Sequence, residues 1–308
     1  MSELAIEVRN LSKAFGDKLA VDEVSIAMPR GQVWGFLGPN GSGKTTTIRM
    51  ICGLLRPSAG EGSCLGHDIM RESDSIKRRT GYMTQRFSFW NDLTIRENLD
   101  FVARLYELPA RRTVVDDTIN KLGLTHRQHQ LADALSGGWK QRLALAAVTM
   151  HEPDLLLLDE PTAGVDPQAR RDFWDEIHVL SNRGMTVLVS THYMDEAERC
   201  DHIVYLAHGR LIVEGQVGEI IASTGLVTFR ARGTGVRALA PTLKTLPGVE
   251  HVAFFGAALH VSGSDAQALQ QALTGFQDGV SWERVETSLE DAFIALMQRA
   301  GPDARLTQ

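Results

Sequence analysis

The chain has 308 residues, 43% of them hydrophobic and 23% charged, too long for one ordinary compact domain and too evenly mixed for a disordered, collagenous or coiled-coil protein. Its 32 Lys plus Arg against 38 Asp plus Glu give a formal charge of −6, so the basic footprint that coats nucleic-acid phosphates is missing and nucleic acid is not expected as a partner. The three cysteines, Cys52, Cys64 and Cys200, are odd in number and form no C-x-x-C pair, which supports neither a disulfide framework nor a zinc site and predicts reduced, cytosolic thiols.

The chain starts Met1-Ser2-Glu3-Leu4, with an acid where a secretory leader is basic and no apolar run behind it, so secretion is not expected. The most apolar runs, such as residues 155–158, break at Asp, Glu, Pro or Arg long before the roughly 20 residues of a membrane helix, and no direct membrane span is expected. Residues 5–30 alternate in β-like pieces, Ile6-Glu7-Val8 and Val24-Ser25-Ile26, up to the turn Pro29-Arg30-Gly31, which predicts a small antiparallel sheet. Next comes Val33-Trp34-Gly35-Phe36-Leu37 without polar alternation, then glycines, then Thr46-Thr47-Ile48-Arg49-Met50-Ile51 with apolar residues at helical spacing. A strand, a glycine loop and a helix in that order begin an α/β unit with a buried parallel strand.

The loop fits G-x-x-x-x-G-K-[ST] through Gly38, Pro39, Asn40, Gly41, Ser42, Gly43, Lys44 and Thr45, with Thr46 next in the helix. Glycines let successive N–H groups turn inward around phosphate oxygens, and the helix N-terminus adds its positive dipole end. Lys44 is expected at the β and γ phosphates and the Thr45 hydroxyl on Mg²⁺.

Three later segments repeat the buried-strand pattern, and each ends in polar residues. Gly81-Tyr82-Met83-Thr84 leads to Gln85, Leu155-Leu156-Leu157-Leu158 to Asp159-Glu160, and Thr186-Val187-Leu188-Val189 to Ser190-Thr191-His192. In open parallel sheets ligands bind outside the carboxyl ends of strands, so the strand ends aim at one crevice. Asp159 there can hold Mg²⁺ through water, and Glu160 can polarise an attacking water as general base.

Residues 86–150 turn helical, predicting an insertion between two strands. Phe87, Phe89 and Trp90 at its start fit equally well as core or as an exposed apolar patch that receives a membrane partner's helix. Within the insertion, Leu135-Ser136-Gly137-Gly138-Trp139-Lys140-Gln141-Arg142 precedes an apolar helix. Ser136 can be a plain N-cap, but two glycines in a first turn each cost about 1 kcal/mol against Ala, a cost that makes sense if a phosphate must approach the backbone. Asp166 before Pro167 reads as a helix N-cap. The histidines His67, His126, His129, His151, His202 and His208 show no metal-ligating spacing, so no transition metal is expected. Near Ser223 the composition shifts to glycine joints between short strands (226–230, 249–255, 259–262) and helices (236–246, 266–273, 289–298), predicting a second, small α+β domain. The expected domains are thus residues 1–222 and 223–308.

A phosphate loop, a strand-end Gln, Leu-Ser-Gly-Gly before a helix, an apolar run ending Asp-Glu-Pro, and Ser-Thr-His on the next strand, in that order, resemble the ATP-binding subunits of ABC transporters. The resemblance spans about residues 4–218. It implies an α/β P-loop NTPase fold, the ABC cassette, with an antiparallel β subdomain and a helical insertion. It makes Gly38 to Thr45 the Walker A loop, Asp159 the Walker B acid, Glu160 the catalytic carboxylate and Gln85 the γ-phosphate and metal sensor. Ser136, Gly137 and Gly138 become the signature that closes over ATP bound to a partner, so the implied working unit is a head-to-tail homodimer with ATP and Mg²⁺ between protomers. Residues 163–166 match the loop that crosses that interface, His192 the switch histidine, and Phe15 the aromatic that stacks on adenine. Trp139 departs from the Gln usual after the signature. The segment Thr287-Ser288-Leu289-Glu290-Asp291-Ala292-Phe293 resembles the extension on motors paired with ABC-2 type export permeases. The implied function is an ATPase driving export, held at the cytoplasmic face of a bacterial inner membrane by its permease. A soluble ABC ATPase acting on ribosomes or nucleic acid is the alternative, disfavoured because neither a second cassette, a long coiled coil nor a basic surface is visible. A binding module without hydrolysis is disfavoured by the intact Lys44, Asp159, Glu160 and His192.

Overall fold

The computed structural model describes residues 3–85, 89–276 and 279–299. The chain divides into two compact units, Met1–Leu211 and Ile212–Gln308, the division falling earlier than the composition shift at Ser223. The first unit opens with β1 (Leu4–Phe15), β2 (Lys18–Pro29), β3 (Val33–Leu37), α1 (Lys44–Ile51), β4 (Ala59–Cys64), β5 (His67–Asp68), α2 (Ser73–Arg78) and β6 (Thr80–Met83). The helical insertion holds α3 (Ile95–Leu105), α4 (Arg111–Lys121) and α5 (Gly137–Thr149). Then come β7 (Leu155–Asp159), α6 (Pro167–Asn182), β8 (Thr186–Thr191), α7 (Met194–Ala197), β9 (His202–Ala207) and β10 (Arg210–Gly215), which contains the division point.

β1 and β2 pair antiparallel, Ile6 opposite Met28 and Val8 opposite Ile26, as their alternation predicts. β4 and β5 extend that sheet in the order β2-β1-β4-β5. The second sheet has the order β10-β9-β3-β8-β7-β6, and β3, β8, β7 and β6 run parallel side by side. Leu37 lies opposite Thr191, Asp159 opposite Ser190, and Met83 opposite Leu158, so these strands end together. The polar residues that follow these strands are therefore brought side by side at one end of the sheet.

Period-two geometry explains why the strands carry no polar alternation: both faces are covered. Trp34, Phe36, Leu155 and Leu157 point into a core shared with Ile48, Met50 and Ile51 of α1 and with Val8 and Ile26 of the antiparallel sheet. Val33, Leu156 and Leu158 point the other way, onto Ala144 and Leu145 of α5 and Phe173, Trp174 and Ile177 of α6. All four leucines of β7 are fully buried, each stabilising the fold by about 1.5–3 kcal/mol. That is what makes β7 a stiff platform for Asp159.

The insertion has its own core, with Ile95 and Leu99 of α3, Val115 and Ile119 of α4 and Leu143 and Ala147 of α5. Thr94 and Glu97 start α3 as a reciprocal capping box. Phe87 lies outside the described residues. Of its neighbours, Phe89 packs against both cores, whereas Trp90 is 43% exposed, with its ring 4.3 Å from Phe101.

The second unit continues with α8 (Val217–Thr224), β11 (Val227–Gly233), α9 (Val236–Leu243), β12 (His251–Phe255), β13 (Ala258–Gly263), α10 (Ala266–Leu273), β14 (Val280–Val285) and α11 (Leu289–Arg299). Its antiparallel sheet has the order β12-β13-β11-β14. Ala231, Leu259 and Val261 of the sheet pack on Val236 and Leu243 of α9 and on Leu269 and Leu273 of α10. α11 buries Leu289, Ala292 and Phe293 and packs against α8 and β12 within the same unit. The described residues contain no helix long and apolar enough to cross a membrane.

Candidate nucleotide-binding site

The loop after β3 is shaped by what a side chain would hit. Gly38 has φ +145°, and a Cβ there would lie 2.1 Å from the Leu206 carbonyl oxygen, so only glycine fits. Pro39, Asn40 and Gly41 form an exposed crest. Gly43 is the N-cap of α1 and supplies no capping side chain, so the first amides of α1 are left for a ligand. The Ser42 hydroxyl is buried without a hydrogen-bond partner, beside that same cradle. Lys44 is folded back onto its own loop, its ammonium donating to the carbonyl oxygens of Gly38 at 2.7 Å and Pro39 at 3.1 Å. Burial lowers the Lys44 pKa, and the negative charges of Glu160 and Asp159 oppose that shift. The ammonium is therefore held in a dry place by carbonyl dipoles and two carboxylates, an arrangement in which a phosphate is a better partner than water. Thr46 is half-buried in the first turn of α1.

From the next strands, Asp159 is buried and joined to both neighbours. The Thr45 hydroxyl reaches both its oxygens at 3.0 Å, and the Ser190 hydroxyl donates to Oδ1 at 2.6 Å. Ser190 also accepts the Glu160 amide, through its carbonyl at 3.0 Å and its hydroxyl at 3.1 Å. In the sequence, Ser190 stands out only as part of the Ser190-Thr191-His192 strand end. Its role depends on β7 and β8 being neighbours in the register that sets Asp159 against Ser190, which no local pattern reveals. Ser190→Ala should lower the stability of the chain by about 1–3 kcal/mol, because it deprives a buried carboxylate and an amide of one partner. Urea denaturation followed by circular dichroism measures this; an unchanged midpoint would contradict it.

Glu160 sits at φ +46°, a left-handed conformation that costs a non-glycine residue of order 1–3 kcal/mol and is held by the Ser190 contacts. The turn aims its carboxylate at the sheet edge, where Gln85 Nε2 donates to Oε2 at 2.9 Å and His192 Nδ1 lies 3.5 Å from the same oxygen. Gln85, Glu160 and His192, from three different strand ends, thus meet at one oxygen. Glu160 Oε1 remains for water, and Gln85 Oε1 remains as an acceptor.

The other predicted residues stand apart from this cluster. Phe15 is 52% exposed, with the Lys13 ammonium 5.3 Å from its ring, so it is not part of the sheet core. Ser136 is exposed at the N-cap of α5 and its hydroxyl makes no capping bond, which leaves it pointing outward with Gly137 and Gly138 behind it. Trp139 turns away, packing into the core of the insertion with the Arg142 guanidinium 5.0 Å from its ring. Asp166 is a real N-cap, accepting the amides of Gln168 at 3.1 Å and Ala169 at 3.0 Å.

The described residues include no group of three or more His, Cys, Asp or Glu arranged for a metal. A hydroxyl and a carboxylate at the mouth of a phosphate cradle are instead a hard-oxygen pair, which suits Mg²⁺ completed by phosphate and water oxygens.

Comparison with known proteins shows the family. The ABC transporter family profile matches residues 21–163. The probable multidrug ABC transporter ATP-binding protein YbhF of Escherichia coli is 45% identical over 226 residues, covering 72% of this chain but only 39% of YbhF. The Nod factor export ATP-binding protein I of Burkholderia orbicola is 36% identical over 98% of this chain and 100% of its own length. Among solved structures, the post-hydrolysis dimer of the ATP-binding cassette MJ0796 bound to ADP and Pi superposes with a TM-score of 0.62 at 26% identity, covering 68% of this chain and 98% of that one. With a phosphate loop, a strand-end acid pair and the sheet order in place, and a relative matched from end to end, the chain belongs to the ATP-binding proteins of the ABC transporter family.

Proposed function

We propose that the chain is an ATP-hydrolysing motor subunit that binds two ATP in a head-to-tail homodimer and drives export through a separate ABC-2 type membrane permease. The observation that carries this reading is the meeting of Gln85, Glu160 and His192 beside the Lys44 cradle, acid, amide and imidazole converging from three strand ends. In the reaction, Lys44 leaves the Gly38 and Pro39 carbonyls for the β and γ phosphates, while the α1 amides and the Ser42 hydroxyl receive phosphate oxygens. Mg²⁺, when bound, neutralises the charge that develops between the β- and γ-phosphoryl groups. Thr45, Asp159 and Gln85 would hold it. Glu160 takes a proton from the attacking water through Oε1 as its oxygen bonds the γ-phosphorus and the bridging oxygen departs on ADP. His192 and Gln85 orient that carboxylate and the phosphate, and the exposed Phe15 ring stacks on adenine.

The homodimer is supported by the exposed Ser136, whose hydroxyl makes no capping bond at the start of α5, and by the dimeric state of the MJ0796 cassette. Export is supported by the Nod factor export protein matched over its whole length and by the multidrug transporter named in YbhF, and a place at the cytoplasmic face of a membrane follows from working through a permease. Two measurements test the proposal together: Mg²⁺-dependent release of phosphate from ATP by the purified chain, and identification of the protein that accompanies the tagged chain from solubilised membranes. Hydrolysis together with a polytopic partner is expected. Recovery wholly with ribosomes would overturn the transporter assignment.

A further inference from the structure

The site contains a fully buried carboxylate that the mechanism above does not use. Glu196, in α7, is 1% exposed. Its Oε2 accepts the Thr191 hydroxyl at 2.6 Å, and its Oε1 accepts the Thr162 hydroxyl. The Arg170 guanidinium of α6 lies 3.5 Å from Oε1, and it also reaches Asp195 at 3.4 Å. A buried carboxylate with such a set of partners is costly to assemble, and the geometry of its contacts tells what it holds.

Thr191 is the residue before His192, and the Thr191 hydroxyl also accepts the amide of Tyr193, the residue after it, at 3.0 Å. One carboxylate therefore fixes, through one hydroxyl, the backbone on both sides of the histidine. The Tyr193 ring has the Arg170 guanidinium 4.4 Å from its centroid and the His192 ring 4.1 Å away. Through Thr162 the same carboxylate holds the segment that leads from Glu160 to the Asp166 cap of α6, where the Val165 amide bonds the Thr162 carbonyl at 3.1 Å. Neither loop has regular structure of its own to fix it, so the carboxylate substitutes for a hydrogen-bond ladder.

We infer that Glu196 is a positioning residue which, through Thr191 and Thr162, locks His192 and the 161–166 segment into one rigid body, so that hydrolysis depends on a group that never touches ATP. The inference rests on the ATPase reading proposed above. It predicts that loosening Glu196 impairs turnover while leaving nucleotide binding in place, because Lys44 and the loop amides belong to other elements.

The test uses the full chain, with radiolabelled ATP so that slow turnover is measurable. In Glu196→Gln, kcat is expected to fall about tenfold to 10²-fold, as misplacement of a catalytic group by up to about 1 Å does, with ATP affinity changed by less than about twofold. Arg170, whose side chain is 21% exposed, keeps Asp195 as partner in this variant, so the cation is not orphaned. Thr191→Val removes only the hydroxyl link and should reproduce the loss even if Glu196→Gln folds poorly, whereas Thr191→Ser should restore the rate. In a His192→Ala background, Glu196→Gln should cost less than it does in the wild-type chain, since one of its two arms acts through the missing side chain. Full additivity there, or wild-type turnover in both Glu196→Gln and Thr191→Val, overturns the positioning role. A wild-type chain that fails to hydrolyse ATP overturns instead the ATPase reading on which it stands.

Discussion

Replacing Glu160 by Gln is expected to cut ATP hydrolysis by at least about 10²-fold while leaving ATP binding intact. The amide has the size and shape of the carboxylate and can still accept from Gln85 Nε2, so the cluster at the strand ends need not rearrange. What it cannot do is accept the proton of the attacking water. Binding has separate supports, in the Lys44 ammonium, the α1 amides and the Asp159–Thr45 pair. Removing one negative charge beside the cradle also reduces repulsion of a triphosphate, so affinity should hold or rise. The variant should accumulate as an ATP-loaded dimer, visible by size-exclusion chromatography with ATP and Mg²⁺ and absent without nucleotide. Turnover near wild type would remove Glu160 from the role of general base. Lys44→Ala should separate cleanly from it, losing nucleotide affinity first, because its contact is with the phosphate itself.

Residues whose chemistry is local were legible in the sequence. The loop 38–45 could be placed because a glycine pattern between an unbroken apolar run and a helical one admits little else, and Gln85, Asp159 and His192 because buried strands end where polar residues begin. The structure adds what depends on register and tertiary pairing. Ser190 matters only because β7 and β8 are neighbours, and Glu196 looks like one more acid in Met194-Asp195-Glu196-Ala197 until its two threonines come from other segments. β4 was missed because Ala-Gly-Glu-Gly-Ser-Cys lacks apolar alternation, its position being imposed by pairing with β1 rather than by burial of its own side chains. β14 escaped for a related reason: it is an edge strand that exposes half of its residues, Ser281, Glu283 and Arg284. The α+β character of the second unit was readable from its glycine joints, but the extent of each strand moved by a few residues where pairing, not composition, ends a ladder.

The sequence left the two glycines after Ser136 as equals, and the structure separates them in a way that decides the experiment. A Cβ at Gly138 would stand 2.7 Å from the Ala169 Cβ, so any side chain there disturbs the start of α6 whether or not a partner exists. Gly137 meets nothing within 4 Å. It lies in the first turn of α5, where an added carboxylate is stabilising by about 0.3–1 kcal/mol through the helix dipole, so the isolated chain should tolerate Gly137→Asp with an unchanged or slightly raised Tm. If this turn closes over ATP held by the other protomer, the carboxylate meets a phosphate of like charge. At about 4 Å and an effective dielectric of about 20 that repulsion is about 4 kcal/mol, roughly a thousandfold in affinity for each composite site. Gly137→Asp should therefore bind ATP as a monomer, keep its fold, and yet fail to dimerise or hydrolyse. Mixing it with Lys44→Ala should recover activity in part, because one site of the mixed dimer then combines an intact loop from the first chain with an intact turn from the second. A stable Gly137→Asp that dimerises with ATP as the wild type does would remove Ser136 and its glycines from the nucleotide site.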